Sequence, residues 1–368
     1  MYSAHCPAVA VLSEKVGMIA GSGAAGERMK LHIGTYTIGT ESKGIYRLNL
    51  NETGELSMEG VCPHAENPSY LVSCPGTGLL HAVSEIKEHA AVSTYRMDDG
   101  GRLSFQQRVS CEGSDLCHLS ILPGSALLGS CYGSGGVFHA SLDQHGVPEK
   151  ASLQFRHSPV GAAVHGMSHA HCVVPDPLER YAVEVNLGLD RLFVYRFDNE
   201  KLILQENKTV SFSAGEGPRH VVFHPDLPFA YVNTEYGNQI HVYRYQAESG
   251  TLTHVQCVGT LPSNADTASF SADMHISSDG AFLLVSNRGH NSIGCFLIDQ
   301  EGLLHAHGHI SSFGLYPRSF ALLDDDRYLV IANQYYGMVV TLPFCKGMGS
   351  DLPISICRVP SPSCICPV

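Results

Sequence analysis

The chain has 368 residues, of which 44% are hydrophobic and 16% charged, so it can bury a large core and does not have the composition of a disordered chain. Its 35 acidic residues against 23 Lys and Arg give a formal net charge of −12, which disfavours binding to nucleic acid or to an anionic lipid surface. An anionic ligand would therefore need a local cluster of Arg.

The first 28 residues contain apolar patches, but Glu14 and Lys15 interrupt them and the run is too short to cross a membrane. The 13 cysteines stand at irregular spacings without a CxxC pair, which favours reduced, buried thiols over a disulfide framework or a zinc ribbon. We therefore expect a cytoplasmic protein without a signal peptide or membrane contact. Because the repeat pattern begins just after Met29, residues 1–28 are predicted to be a dispensable extension of one domain spanning residues 29–368.

Pairs of short apolar runs separated by turn residues recur along the chain. In order, they are LLHAVSE and VSTYRM, YAVEV and LFVYRF, FAYVN and IHVYRY, FLLVSN and IGCFLI, and YLVIAN and MVVTLP. Alternation of Val, Ile, Tyr and Phe with a period of two, bounded by Gly, Asn and Asp, predicts β-hairpins. No long helical periodicity competes with it, so we expect an all-β protein.

Six strand-head positions repeat at intervals of 49, 53, 49, 55 and 44 residues, namely Ser69, His118, His171, His220, His275 and Ser319. This spacing is typical of four-stranded propeller blades. Residues 33–57 look like the back half of another blade, whose front strand is expected from residues 356–368. The prediction is a seven-bladed β-propeller closed by its N- and C-terminal strands. Two stacked β-sandwiches are the alternative, whereas the absence of Trp argues against a WD40 propeller.

Two phases of the repeat carry varied polar residues while their neighbours stay apolar. The first ring contains Ser69, the pair Cys117 and His118, His171, the pair Arg219 and His220, Asp273 and Arg318. The second, about sixteen residues further on in each repeat, contains Glu85, Tyr132, Asn186, Glu235, Arg288 and Gln334. Because the innermost strands of all blades face one channel, these residues should meet there. Polar diversity at both phases predicts a ligand site.

Several stretches resemble a known family: GTYTIGTESKGIY (34–46), SHAHC (168–172), GEGPRHVVFHPD (215–226), SNRGHNSI (286–293) and YPRSF (316–320). They are similar to the lactonase family of seven-bladed propellers, which includes propeller-type 6-phosphogluconolactonases and fungal carboxy-muconate cyclases. The match covers nearly the whole chain from about Leu31. The resemblance implies catalytic roles for His171, Arg219, Glu235 and Arg288, and hydrolysis of 6-phospho-D-glucono-1,5-lactone in the oxidative pentose phosphate route. It implies no cofactor and no metal.

The residue types fit such a hydrolysis. Either Glu235 or His171 can be the base that activates water, while Arg219 and Arg288 suit an oxyanion or the substrate's own anionic group. We expect further contacts with a small anionic sugar lactone from His169, His220, Arg318, Gln334 and Glu85.

Two other functions remain open at this point. A 3-carboxy-cis,cis-muconate lactonizing cyclase would use the same His, Glu and Arg set, and a non-catalytic propeller would only bind a ligand. A metal held by His169 and His171 is disfavoured, because no carboxylates stand at ligand-like spacing beside them.

Overall fold

The structure, a computed structural model, describes residues 29–74, 76–122, 125–157, 166–198 and 201–368. Its strands form seven antiparallel sheets of four or five strands. The predicted extension, residues 1–28, lies outside the described residues. No helix among the described residues has the length and apolar character needed to cross a membrane.

Blades 1 to 4 are built as follows, with β30 of the C-terminal segment completing blade 1. Blade 1 contains β1 (Met29–Thr35), β2 (Gly44–Leu50), β3 (Leu56–Pro63) and β30 (Pro362–Pro367). Blade 2 contains β4 (Leu71–Cys74), β5 (Leu79–Ser84), β6 (Ala90–Met97) and β7 (Leu103–Cys111). Blade 3 contains β8 (Leu116–Leu122), β9 (Ala126–Cys131), β10 (Gly136–Leu142) and β11 (Pro148–Arg156). Blade 4 contains β12 (Ala170–Pro175), β13 (Tyr181–Asn186), β14 (Arg191–Asp198), β15 (Lys201–Leu204), a 3₁₀ turn (Glu206–Lys208) and β16 (Val210–Ser211).

Blades 5 to 7, like blades 2 to 4, each begin with their innermost strand. Blade 5 contains β17 (Pro218–Phe223), β18 (Phe229–Thr234), β19 (Gln239–Gln246) and β20 (Thr251–Gly259). Blade 6 contains β21 (Phe270–Ile276), β22 (Phe282–Arg288), β23 (Ser292–Ile298) and β24 (Leu304–Ser311). Blade 7 contains β25 (Pro317–Leu323), β26 (Tyr328–Asn333), β27 (Met338–Cys345), β28 (Met348–Gly349) and β29 (Ser355–Arg358).

The innermost strands close a circle. In order, β4, β8, β12, β17, β21, β25 and β30 each contact the next, and β30 contacts β4. The all-β, seven-bladed propeller predicted from the repeats is therefore confirmed. The repeat positions fall near the starts of the innermost strands, except in blade 6. There His275 is the sixth residue of β21, and Asp273 is the residue that occupies the position equivalent to His220 of blade 5.

Burial explains why the second strands are apolar runs and the outer strands alternate. All six residues of β18 are buried, because this strand lies between neighbouring blades. The outer strand β20 alternates between exposed and covered positions along most of its length. The core accordingly lies between blades: one cluster joins Val183 and Val185 of blade 4 to Val221 and Val232 of blade 5.

Asp and Asn residues make the tight turns before the third strands of three blades. Asp190, Asn238 and Asn291 have φ values of 51°, 50° and 59°, and each directly precedes β14, β19 or β23. Short polar side chains tolerate this left-handed conformation better than most residues do. These turns place the ends of the second strands at the same edge of the propeller.

The C-terminal segment closes the ring, but not as one strand. Of the two last strands, β30 pairs with β1, where Ile33 lies opposite Ile365. The other, β29, pairs with β27 on the outside of blade 7. Ser361, with φ of 48°, turns the chain between the two strands. The expectation that residues 356–368 supply the front strand of the first blade is thus correct for 362–367 only.

This closure predicts a difference between two Ile→Asp variants. Ile365 of β30 is 7% exposed within the core shared by blades 7 and 1, whereas Ile356 of β29 is 55% exposed. We expect Ile365→Asp to lower the free energy of unfolding by about 4 kcal/mol or more, because it buries an unpaired carboxylate and removes apolar contacts. Ile356→Asp should change it by about 0.5 kcal/mol or less. Urea unfolding followed by circular dichroism measures both, and equal stabilities of the two variants would contradict closure by β30.

Candidate active site

β-Bulges near the start of the innermost strands place the first ring of polar residues. The pairing register skips one residue at Cys117 in β8, His171 in β12, Arg219 in β17 and Arg318 in β25. A bulged residue leaves the ladder, and its side chain is re-aimed relative to its neighbours. All four side chains line one small cavity of about 20 Å³ in the channel.

Further polar residues of both rings line the same cavity. Ser69, Glu85, His220 and Asp273 are among them, as expected from the repeat. Ser363 lines the cavity as well and is the residue skipped in the pairing of β30 with β1, so it is the member that blade 1 contributes to the first ring. The sequence signal for Ser363 is weak, because β30 is separated from the rest of its blade along the chain.

The second ring lies where the second strand of each blade ends. The backbone N–H groups of Glu85, Tyr132, Glu235 and Gln334 each donate to a carbonyl just before the innermost strand of the same blade. In blade 4 this position is Leu187, which donates to the carbonyl of His169. The prediction for Asn186 is therefore wrong by one residue.

The side chain of Asn186 is fully buried and has a structural role in its hairpin. Its carbonyl accepts from the backbone N–H groups of His169 and Leu189, and its amide donates to Ser168 and Glu184. These four hydrogen bonds use the whole amide, so Asn186 is not available to a ligand in the channel.

Glu235 lies between two arginines. Its Oε2 is 3.0 Å from Nε of Arg219 and 3.0 Å from Nη2 of Arg288, and both guanidiniums are almost completely buried. Burial alone would raise the pKa of Glu235, but the charges of Arg288 and Arg219 outweigh it and lower this pKa. The carboxylate is therefore ionised at neutral pH and already engaged on both sides.

Backbone carbonyls accept from further N–H groups of both guanidiniums. Nη1 of Arg219 donates to the carbonyl of Ala272 at 2.6 Å. Nε and Nη2 of Arg288 donate to the carbonyls of Phe270 and Ser271, and its guanidinium lies 5.1 Å from the centre of the Tyr316 ring. The pKa of Arg219 falls to about 10, because burial and the nearby charge of Arg288 oppose its ionisation more than Glu235 supports it.

Arg318 has a different environment. Its Nη2 donates to the hydroxyl of Tyr36 at 2.5 Å, and that hydroxyl donates to Oε2 of Glu85 at 2.7 Å. Ser69 also donates to the same carboxylate oxygen. Among the described residues no carboxylate lies within ion-pair distance of Arg318. Burial alone would lower the pKa of Arg318, but the charges of Tyr36, Glu85 and Glu235 raise it.

His171 is held neutral beside these cations. It is 7% exposed, and its ring lies edge-on to Tyr132 at 5.9 Å and 5.4 Å from the ring of His220. Burial, followed by the charge of Arg219, holds its pKa well below the usual 6.5. Its Nδ1 is buried and makes no hydrogen bond within the described part of the chain. The ring is therefore neutral at neutral pH and keeps the lone pair of one ring nitrogen.

The remaining predicted substrate contacts are His169 and Gln334, and both lie outside the small cavity. His169 stacks on Tyr132 at 4.4 Å, and its Nδ1 bonds to the carbonyl of that residue at 2.9 Å. Gln334 follows β26, and its buried Oε1 has no hydrogen-bond partner within the described ranges. His, Cys, Asp and Glu side chains of the described ranges form no group of three or more that could hold a metal ion.

A larger cavity of about 580 Å³ lies at the other end of the channel. Its walls include Val72, Ile365 and Pro367, and it shares only Tyr70, Asp273 and Ser319 with the small cavity. None of the three channel arginines lines it. The arginines and His171 are therefore concentrated at the end where the innermost strands begin, although the larger volume lies elsewhere.

The cluster has the composition of an anion-binding hydrolytic site. Its three guanidiniums match three carboxylates, those of Glu85, Glu235 and Asp273, so the site has no excess of negative charge. The guanidinium of Arg318 is linked to Glu85 through the hydroxyl of Tyr36. His171 lies next to the arginines as a neutral proton acceptor, and guanidinium N–H groups suit a developing oxyanion.

Comparisons with known proteins match the chain to one family. The family model described as "Lactonase, 7-bladed beta-propeller" matches residues 30–366. The chain is 31% identical over 349 residues to a Bacillus subtilis (strain 168) protein named 6-phosphogluconolactonase, covering 91% of this chain and 97% of that protein.

Two solved structures are similar over almost their full length. A candidate 6-phosphogluconolactonase of Bacteroides fragilis superposes with a TM-score of 0.84 at 28% identity, covering 95% of this chain and all of that one. A periplasmic gluconolactonase of Pseudomonas aeruginosa superposes with a TM-score of 0.87 at 26% identity, covering 93% and 99% of the two chains. The chain therefore belongs to the lactonase family of seven-bladed β-propellers and is a lactonase enzyme.

Proposed function

We propose that this lactonase hydrolyses 6-phospho-D-glucono-1,5-lactone to 6-phosphogluconate in the cytoplasm, as a step of the oxidative pentose phosphate route. One observation carries the proposal: a neutral, buried His171 lines the small cavity together with Arg219 and Arg318, and Arg318 has no carboxylate partner within ion-pair distance among the described residues. The name of the Bacillus subtilis relative supports the phosphorylated sugar as substrate. The name of the Pseudomonas aeruginosa neighbour supports a gluconolactone ring and a periplasmic location for that protein.

We assign the role of base to His171 rather than Glu235. Oε2 of Glu235 already accepts from two guanidiniums, so protonation of this carboxylate would disrupt both contacts. His171 is neutral, and its Nδ1 is free of hydrogen bonds within the described residues. The adjoining cavity of about 20 Å³ is large enough for one water molecule.

The reaction then follows from this assignment. His171 takes a proton from water as the water oxygen attacks C1 of the lactone. Arg219 and Arg288 stabilise the negative charge that develops on the carbonyl oxygen. When the bond between C1 and the ring oxygen breaks, the imidazolium returns the proton to that oxygen, which becomes the hydroxyl on C5. The product is an open-chain carboxylic acid, and no cofactor is consumed.

Arg318 is the residue that we assign to the phosphate. Glu235 pairs with the other two arginines, whereas Arg318 donates to the Tyr36 hydroxyl and has no ion pair within the described residues. A guanidinium with unused N–H groups binds phosphate through two parallel hydrogen bonds.

A substrate comparison tests both the activity and this assignment. We expect wild-type enzyme to favour 6-phosphogluconolactone over glucono-1,5-lactone and over a carboxymuconolactone in kcat/KM, measured by proton release and corrected for spontaneous hydrolysis. Arg318→Gln should raise KM for the phosphorylated lactone about 10-fold or more, since a hydrogen bond to a charged group contributes about 1.5 kcal/mol or more. Its KM for glucono-1,5-lactone should change less than about 2-fold.

The matched control is Arg358→Gln, because Arg358 is an exposed residue on the outer strand β29 and should leave both substrates unaffected. An equal loss on both lactones in Arg318→Gln would remove Arg318 from phosphate recognition. Wild-type rates no faster than spontaneous hydrolysis on all three lactones would refute the proposed activity.

Removing the base should act on kcat. We expect His171→Ala to lower kcat about 10²- to 10⁴-fold with a smaller change in KM, because a general base contributes to the chemical step. Added imidazole should restore part of the rate, since the cavity left by the side chain can accept it. A folded His171→Ala variant with wild-type kcat, verified by circular dichroism, would place the base elsewhere.

Glu235 should act as a charge anchor, which a stability measurement can show. We expect Glu235→Gln to lower the free energy of unfolding at pH 7 by about 3 kcal/mol, because it leaves two buried guanidiniums without their counter-charge. The folded-state pKa of Glu235 is lowered, so its stabilisation is complete above the unfolded value of about 4.3 and is lost as pH falls through the folded value. The difference in the free energy of unfolding between wild type and Glu235→Gln should therefore be constant from about pH 7 to 5.5 and should decrease below about pH 4.

The matched control for this variant is Glu66→Gln, which removes an ion pair of the same type, with Arg108, at the surface. Its effect should be about 0.5 kcal/mol or less. Similar losses for Glu235→Gln and Glu66→Gln in urea unfolding at pH 7 would contradict the anchoring role.

A further inference from the structure

Two buried side chains, those of His220 and Asp273, extend in sequence from the guanidinium of Arg219. His220 is the next residue of β17, and its Nε2 is 3.0 Å from Nη1 of Arg219. Its Nδ1 is 3.3 Å from Oδ1 of Asp273, on the innermost strand of blade 6. The three side chains thus form a continuous line from blade 6 to the guanidinium in blade 5.

The chemistry of these contacts fixes the proton on His220. A guanidinium has only donors, so Nε2 of His220 must accept from Arg219. The ring proton is then on Nδ1, where it can be donated to the carboxylate of Asp273. Burial and the charge of Arg219 lower the pKa of His220 to about 4, so the ring stays neutral and keeps this tautomer.

Asp273 is itself fixed to the backbone of two blades. Its Oδ1 accepts from the N–H of Met274 at 3.0 Å, and its Oδ2 accepts from the N–H of Phe320 at 3.3 Å. His275 contributes a further contact, with Nε2 3.1 Å from Oδ2. The carboxylate therefore has a defined position before it contacts His220.

We propose that Asp273 and His220 are positioning residues that orient the guanidinium of Arg219 toward the reacting carbonyl. This role rests on the proposed lactonase reaction. Nε of Arg219 is engaged by Glu235, and Nη1 by Ala272 and His220, so within the described part of the chain Nη2 is the remaining donor edge of the group. Without His220, Nη1 keeps only one acceptor and the plane of the guanidinium is less restricted.

Two substitutions at His220 separate hydrogen bonding from packing. In His220→Gln the amide oxygen can accept from Arg219 while the amide N–H donates to Asp273, so both contacts can be kept. His220→Met fills a similar volume without either hydrogen bond. We expect His220→Met to lower kcat on 6-phosphogluconolactone about 10-fold or more with KM within about 2-fold, because misplacing a catalytic group impairs the transition state more than substrate binding. His220→Gln should stay within about 3-fold of wild-type kcat.

The control for removing a buried imidazole is His81→Met. His81 is fully buried in β5, bonds to Thr94 at 3.0 Å and does not line the small cavity. It should leave kcat unchanged, and thermal unfolding of all three variants confirms that they fold.

Three results would overturn the positioning role. An active wild type with an equally active His220→Met variant, or equal kcat losses in His220→Gln and His220→Met, would remove only this role. A wild-type enzyme without lactonase activity would refute the proposed function, and the positioning role with it.

Discussion

The buried contact of one carboxylate with two guanidiniums is the interaction on which the site depends. Arg219 and Arg288 come from adjacent blades and are 3% and 4% exposed at the side chain, so their charges would repel each other in a poorly solvated channel. Glu235 makes their proximity possible. In the proposed reaction, the same contact occupies Glu235 and holds both cations in place for the developing oxyanion.

The propeller fold and most of the residues that face its channel could be predicted from the sequence, because equivalent residues of a repeat recur at a regular spacing. Residues about fifty positions apart meet in the channel because the innermost strands form a closed circle, so the phase of the repeat predicts which residues face it. The sequence does not fix the exact ring position where a neighbouring residue is also polar. In blade 4 the polar residue Asn186 belongs to the hairpin, and the apolar Leu187 occupies the ring position. The repeat does not reveal Ser363 and Tyr36, because blade 1 is split between the two ends of the chain and neither half shows the full pattern.

The division of roles within the site needed the structure. In the sequence Glu235 and His171 are equivalent candidates for the base, since both types of side chain can accept a proton. Only the distances show that Glu235 is already paired with two cations. In the same way, the three arginines are alike in sequence, and the absence of a nearby carboxylate within the described ranges distinguishes Arg318.

The charge distribution reconciles an acidic protein with the proposed anionic substrate. A net charge of −12 disfavours polyanions, which must approach the outer surface. Beyond a Debye length of about 8 Å this repulsion is screened, whereas charges buried in the channel are screened much less. A small phosphorylated lactone that enters the channel therefore experiences guanidiniums that balance the local carboxylates, with Arg318 unpaired within the described ranges, rather than the charge of the whole chain. Under the proposed function, size and charge together therefore favour a small anion over a large one.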